Sequence, residues 1–218
     1  MVTINCKCTS VQIQFYTNND LFRLQCCCHD CTSALWYASK RGGPAHPPFQ
    51  CVDTSWFPND FKVVSGADRI GAFLNFPDAD TTRFYCKECW TILLADHAAY
   101  DKRLVVVQAI NFTEFDGLSN ADLMQPQARH FVGDLSAEQL ATLPAWPWDP
   151  ANVYSSVADV LMERFPALQA AGAEGALMNA QILLAKIGGS FVPSGEARLT
   201  EGPPTLMQRM LDEAQAPD

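Results

Sequence analysis

Positive charge is scarce in this chain. Its 218 residues include 15 lysines and arginines against 24 aspartates and glutamates, a formal net charge of −9. A deficit of that size disfavours general binding to nucleic acid or to an anionic membrane, and neither is expected as a partner. Long apolar runs are also missing, and none approaches the roughly 18 residues of a membrane-spanning helix. Residues 1–10, MVTINCKCTS, have neither the basic start nor the apolar stretch of a secretory signal, so the expected location is reducing and cytoplasmic. Cysteine is absent beyond Cys89. A disorder-prone composition is absent as well. The hydrophobic share is 48% and the aromatic share 11%, enough for a packed core.

The length suits one domain with an appendage or two small domains. Residues 1 to about 115 read mainly as strands. Val11, Ile13 and Phe15 alternate with Gln12 and Gln14, the period-two pattern of a half-buried strand. Residues 34–38, 61–64, 70–76 and 91–94 are short β-prone runs, and the apolar run 104–110 suits a central strand. Gly42-Gly43-Pro44, Pro47-Pro48, Pro58-Asn59-Asp60 and Pro77-Asp78 punctuate them. Many short strands with frequent turns predict a mainly β fold, an all-β sandwich or an open barrel. After about residue 134 the period becomes helical. Ser136 and Gln139 are spaced as a capping box, and Pro144 stops the helix that follows. Val153, Val157, Val160, Leu161 and Phe165 predict a second helix. Leu177, Gln181, Leu184 and Ile187 predict a third, closed by Gly188-Gly189. Leu206, Met207, Met210, Leu211 and Ala214 form a last stripe. The predicted organisation is a β domain over 1–134 and a helical extension over 135–218. Such stripes ordinarily cover a core or a second subunit, so a homodimer through the extension is a candidate assembly, and a substrate lid is the alternative.

The nine cysteines carry the chemical signal. An odd count without a secretory signal argues against a disulfide framework and for metal binding. Cys6-x-Cys8 on an extended strand would turn two sulfurs to one side, and Cys86-x-x-Cys89 in a tight turn would aim two at one point. Together they make a closed four-thiolate site, the usual form of structural zinc. Cys26, Cys28 and Cys31 offer three thiolates and no evident fourth ligand, the arrangement of a catalytic zinc with one open position. Seven thiolates outweigh the positive charge of two zinc ions, so nearby cations such as Lys7 and Arg83 are expected to screen them. Cys27 points away from Cys26 and Cys28 on an extended segment and reads as a buried small hydrophobe, and Cys51 as a lone core thiol.

The order C-x-C, C-x-C-x-x-C, C-x-x-C, in the segments INCKCTSVQIQF, LQCCCHDC and RFYCKECWTIL, resembles the glutathione-dependent formaldehyde-activating enzyme family, which includes centromere-protein-V-like proteins. The resemblance covers roughly residues 3–115. It implies a β-tent of small antiparallel sheets, structural zinc on Cys6, Cys8, Cys86 and Cys89, and catalytic zinc on Cys26, Cys28 and Cys31. It also implies glutathione as a candidate co-substrate. Ile4, Thr9 and Trp90 stand where that family carries glycine, and Cys27 where it carries histidine. A bulky Trp90 changes the pocket rather than the ligands.

Within the ligand loop, His29 is the candidate catalytic acid–base, because imidazole titrates near neutral pH. Asp30 reads rather as a loop residue bonding to backbone. His46 sits in a Pro-rich loop that would border a pocket, while His97 and His130 read as surface or structural residues. Trp36, Tyr37, Trp56 and Phe57 read as core or pocket wall. The expected function is that of a zinc-dependent lyase-type enzyme. It would form or break a carbon–sulfur bond in a small thiol- or carbonyl-containing molecule. The alternatives are a non-catalytic zinc scaffold that binds a protein partner through its helical tail, and, more weakly, a thiol redox protein using Cys86 and Cys89.

Overall fold

The computed structural model describes residues 1–45, 51–111, 123–172 and 177–193. The fold is mainly β, with two sheets and, among the described residues, four helices. The smaller sheet is antiparallel and pairs β1 (Val2–Asn5), β2 (Gln12–Phe15) and β5 (Phe61–Ser65) in the order β1-β2-β5. The larger sheet contains β3 (Phe22–Cys26), β4 (Val52–Pro58), β6 (Ile70–Phe73), β7 (Thr81–Cys86), β8 (Ile92–His97), β9 (Leu104–Gln108) and β10 (Arg129–His130). Its order is β10-β3-β4-β9-β8-β7-β6, antiparallel except for the parallel edge pair of β10 with β3. The apolar run at 104–110 supplies β9, the middle strand of the seven.

The two faces of the large sheet have different tasks. One carries Phe57, Phe84, Leu94, Val105 and Val107, which pack against Val2, Ile4, Ile13, Phe15 and Phe61 of the small sheet. Phe15 stacks on Phe57 with ring centroids 4.6 Å apart. Burying each such side chain contributes about 1.5–3 kcal/mol. The register defines the other face. Phe22, Trp56, Val106, Ala95, Arg83 and Phe73 are successive cross-strand partners from β3 to β6. They therefore form one row, and Leu24 and Cys26 extend that face along β3.

Two of the helices cover this second face. Helix α1 (His29–Ser39) occupies residues 34–38, where the β-prone run predicts a strand. Its cause lies at its start. The Cys28 Sγ accepts from the Cys31 backbone N–H at 3.3 Å, a side-chain cap, and Asp30 in the first turn suits the positive helix end. Ala34, Tyr37 and Ala38 recur at i, i+3 and i+4 and pack on Phe73, Tyr85 and Ile92. Helix α2 (Ala137–Thr142) opens on the expected capping box, with both Ser136–Gln139 bonds made. Helix α3 (Asp159–Ala171) begins after Val153 and Val157 and sets Leu161, Phe165 and Leu168 against Phe22, Leu24 and Trp56. Helix α4 (Ala180–Lys186) buries Ala180 and Leu183 in the core between the sheets, and Gly188 and Gly189 follow it at φ +84° and +96°. The last stripe, from Leu206 to Ala214, lies outside the described residues, as does His46. Among the described residues no helix is long and apolar enough to cross a membrane.

Candidate metal centres

The first sulfur group forms where β1 and β7 end. The Cys6-x-Cys8 pair lies in the turn after β1 rather than on an extended strand, because β1 stops at Asn5. The Cys6 backbone N–H donates to Val11 O and that of Thr9 to Cys6 O, which closes the turn. Cys86 is the last residue of β7, and the Trp90 N–H returns to Cys86 O at 2.8 Å. The four sulfurs of Cys6, Cys8, Cys86 and Cys89 all lie within 4.8 Å of one another. Cys6 and Cys8 are 3.4 Å apart, and Cys8 and Cys86 3.8 Å. Tetrahedral zinc with Zn–S bonds near 2.3 Å sets sulfurs about 3.8 Å apart, so donor type and spacing fit zinc.

The charge on these thiols is unevenly placed. Burial pushes Cys6 up to about 12 and also raises Cys86. Burial acts upward on Cys8 too, yet bonds from Ser10, Cys6 and Cys89 outweigh it and draw Cys8 down to about 6. Cys8 is the exposed member of the group. A thiolate at the surface is the natural first contact for an arriving cation. The Ser10 hydroxyl lies 3.0 Å from Cys8 and 3.5 Å from Cys86, and the Thr91 hydroxyl 3.2 Å from Cys89.

The second group forms where β3 passes into α1. Cys26 ends the strand, Cys28 caps the helix and Cys31 sits in its first turn. Their sulfurs also lie within 4.8 Å of one another. Among the described residues no histidine, aspartate or glutamate joins them as a fourth donor. Cys31 is held well below the ordinary thiol value because Cys26 and Cys28 donate to it, with Arg83 and His130 adding attraction. Its partners move the other way. Cys26 is raised by its bonds to Cys28 and Cys31 and by burial, and Cys28 is raised by Cys31 and burial despite its bond with Cys26. Three thiols therefore share one readily held negative charge.

The surroundings of this group are partly charged and partly aromatic. Arg83, buried on β7, pairs with Asp30 of α1, and Asn75 donates to the same carboxylate. Arg83 thus faces the second group, while the backbone of Lys7 donates to Thr91 beside the first. Trp56, Tyr100, Phe131 and Phe165 pack in the same cluster as Cys26, Cys28 and Cys31. Burial and the neighbouring thiols raise Tyr100 well above the ordinary phenol value. His29 is the first residue of α1, half-buried, and its backbone N–H donates to Asp134 at 3.2 Å.

His130, which the sequence analysis set among surface or structural residues, is 5% exposed, and its Nδ1 has no partner among the described residues. It pairs with Cys26 in the β10–β3 register, so both side chains lie on one face of the sheet. Burial pushes it down to about 4, with Cys31 pulling it partly back. A two-residue edge strand leaves no periodicity from which to find it.

Cys51 is not a lone thiol, because it forms a disulfide with Cys27. The β3–β4 register explains the pairing. Gln25 faces Asp53 and Cys26 faces Val52, so residues 27 and 51 occupy the next rung. Cys27 is fully buried and contributes nothing to either sulfur group. Seven free cysteines remain, and all seven belong to the two groups.

No known protein family and no curated protein matches the chain. Among solved structures it is similar to a crystal structure of a Rhodobacter sphaeroides protein, at 18% identity and a TM-score of 0.36, over 55% of this chain and 93% of that one.

Proposed function

We propose that the protein is a zinc-dependent lyase-type enzyme akin to the glutathione-dependent formaldehyde-activating family, acting on a small thiol- or carbonyl-containing molecule. The reaction class is formation or cleavage of a carbon–sulfur bond, with glutathione as a candidate co-substrate. The observation that carries this reading is the inequality of the two sulfur groups. One has four sulfurs clustered around a single point. The other has three, with no fourth donor among the described residues. Closed sets are structural, and three protein ligands with a free position are the catalytic pattern. The order and spacing of all seven ligand cysteines support the family reading.

Zinc at such a site supplies Lewis acidity, polarising a carbonyl or lowering the pKa of a bound thiol or water. The chain's own residues do the rest. Cys26, Cys28 and Cys31 would hold the ion. Arg83, neutralised in part by Asp30, offsets the thiolate charge that three ligands accumulate. The aromatic cluster of Trp56, Tyr100 and Phe165 excludes water from one side and favours an apolar substrate. His29, next to Cys28 in sequence, is the proton-moving residue of this proposal.

Native mass spectrometry of zinc-loaded protein tests the reading. The expected result is two zinc ions, one of which a chelator removes readily, and only one in Cys28→Ser. That variant should also lose any turnover of formaldehyde with glutathione, the pair named by the family that the cysteine motifs resemble. Two ions of equal inertness would instead support a non-catalytic scaffold, and a metal-free chain would end both readings.

A further inference from the structure

We propose that the Cys27–Cys51 disulfide is a reducible latch that sets how firmly Cys26, Cys28 and Cys31 hold a metal ion, with a small glutathione-type thiol as its reductant. This rests on the reading that those three sulfurs bind metal.

Cys27 lies between two of the three ligands in the chain. The β3–β4 ladder ends at the pair Cys26 and Val52. One rung further, the link between the strands is covalent. On its other side Cys27 donates its backbone N–H to His130 O on β10, at 3.0 Å. Residue 27 is thus pinned from both flanks, and through it the spacing of Cys26 and Cys28. Once the disulfide opens, the flank towards β4 loses its tie at the point where the ladder stops. Strand ends fray first, and Cys28 must still cap α1 while its sulfur faces Cys31. Loosening the support behind metal ligands typically weakens retention by about 10–100-fold.

The chemistry favours attack at one sulfur. Cys27 is fully buried and Cys51 half-buried, so an incoming thiolate reaches Cys51. The thiolate forms a mixed disulfide with the Cys51 sulfur, the bond to Cys27 breaks, and Cys27 leaves as a thiolate that takes up a proton. A second reductant thiol then attacks the mixed disulfide. It releases Cys51 as a thiol and the reductant as its own disulfide. Two electrons pass from two small thiols to one protein disulfide. The seven remaining cysteines stay available to metal throughout.

The test compares zinc release from the full chain in two redox states. Zinc-loaded protein is purified without reductant. Half is reduced with glutathione under anaerobic conditions, desalted, and both halves are given the colorimetric chelator 4-(2-pyridylazo)resorcinol. The expected result is two ions in each state, with one leaving at least about tenfold faster after reduction and the other unchanged. The double variant Cys27→Ala, Cys51→Ala should release that ion at the fast rate whatever the redox state. Equal rates in both states overturn the latch. So does finding both cysteines as free thiols in the oxidised material. Only the inert ion in either state overturns the metal reading of the three-sulfur group, and the latch with it. If the double variant does not fold, the comparison of the two wild-type states still decides.

Discussion

Thr9 and Trp90 each follow the last cysteine of a ligand pair, and both adopt left-handed backbone, at φ +60° and +53°. These are two of the three positions where the family that the sequence resembles carries glycine. A left-handed residue with a side chain is disfavoured by about 1–2 kcal/mol, so each must be held by something else. Thr9 is exposed; its backbone N–H donates to Cys6 O at 2.9 Å, a bond glycine keeps, and its hydroxyl donates to Cys8 O at 2.7 Å. Trp90 stacks on Tyr85 with centroids 4.4 Å apart, meets Tyr37 edge-on and lies under Arg41. Glycine at position 9 relieves the strain but loses the hydroxyl's bond and adds about 0.5–1 kcal/mol of unfolded-state entropy. Thr9→Gly should therefore change stability by less than about 0.5 kcal/mol. Trp90→Gly gives up an aromatic cluster whose loss outweighs the same relief, and should destabilise by about 2 kcal/mol. Urea midpoints of the two variants check this, and an equal gain from both would show that the stacking contributes nothing.

At the scale of elements, α1 joins the three-sulfur group to the large sheet, and the Arg83–Asp30 pair is its main polar tie. Arg83 is nearly fully buried and Asp30 about three-quarters so. Breaking such a pair from one side typically costs about 3 kcal/mol, since it leaves a charge without its partner. Arg83→Met and Asp30→Asn should each lose close to that amount, and the double variant clearly less than the two losses combined. A double-mutant cycle with no coupling would show that other contacts dock the helix. The same element shows where sequence reading reaches its limit. The ladder residues of β2, β5 and β9 were legible because alternation and β-branching mark half-buried strands, and the cap of α2 because Ser136 and Gln139 are local. Helix α1 was not, since its residues from Ala34 to Ala38 suit either element and its start depends on the Cys28 sulfur acting as a cap. The cysteine groups were legible as motifs of fixed spacing. The Cys27–Cys51 pair and His130 were not, because both depend on strand registers that bring together residues far apart in sequence.

Across the whole molecule, a half-buried carboxyl and a buried imidazole oppose each other in their response to pH. Burial raises Asp96 to about 6, although Gln181 of α4 and Lys102 draw it down. Its Oδ2 accepts from the Gln181 Nε2 at 2.6 Å, and its Oδ1 has no partner among the described residues. A carboxyl raised in the folded state holds its proton longer than in the unfolded chain. Its contribution is therefore complete below about pH 4 and is lost as pH rises through 6. His130 runs the other way. Depressed to about 4 by burial, it favours folding above about pH 6.5 and loses that contribution as pH falls towards 4. Over the same window the two slopes offset, so these two groups together contribute little net dependence on pH. Asp96→Asn removes one slope and keeps an acceptor oxygen for Gln181, so α4 stays tied to β8. The span from 3.8 to about 6 corresponds to at most about 3 kcal/mol, and less in a site that Lys102 screens. The variant should match wild type at pH 4 and exceed it by about 2 kcal/mol at pH 7.5. Denaturant midpoints of variant and wild type, taken side by side at each pH so that zinc release acts on both alike, measure the difference. A gain of the same size at pH 4 would mean that the asparagine acts through packing and that the Asp96 carboxyl is not charged at the expense of the fold.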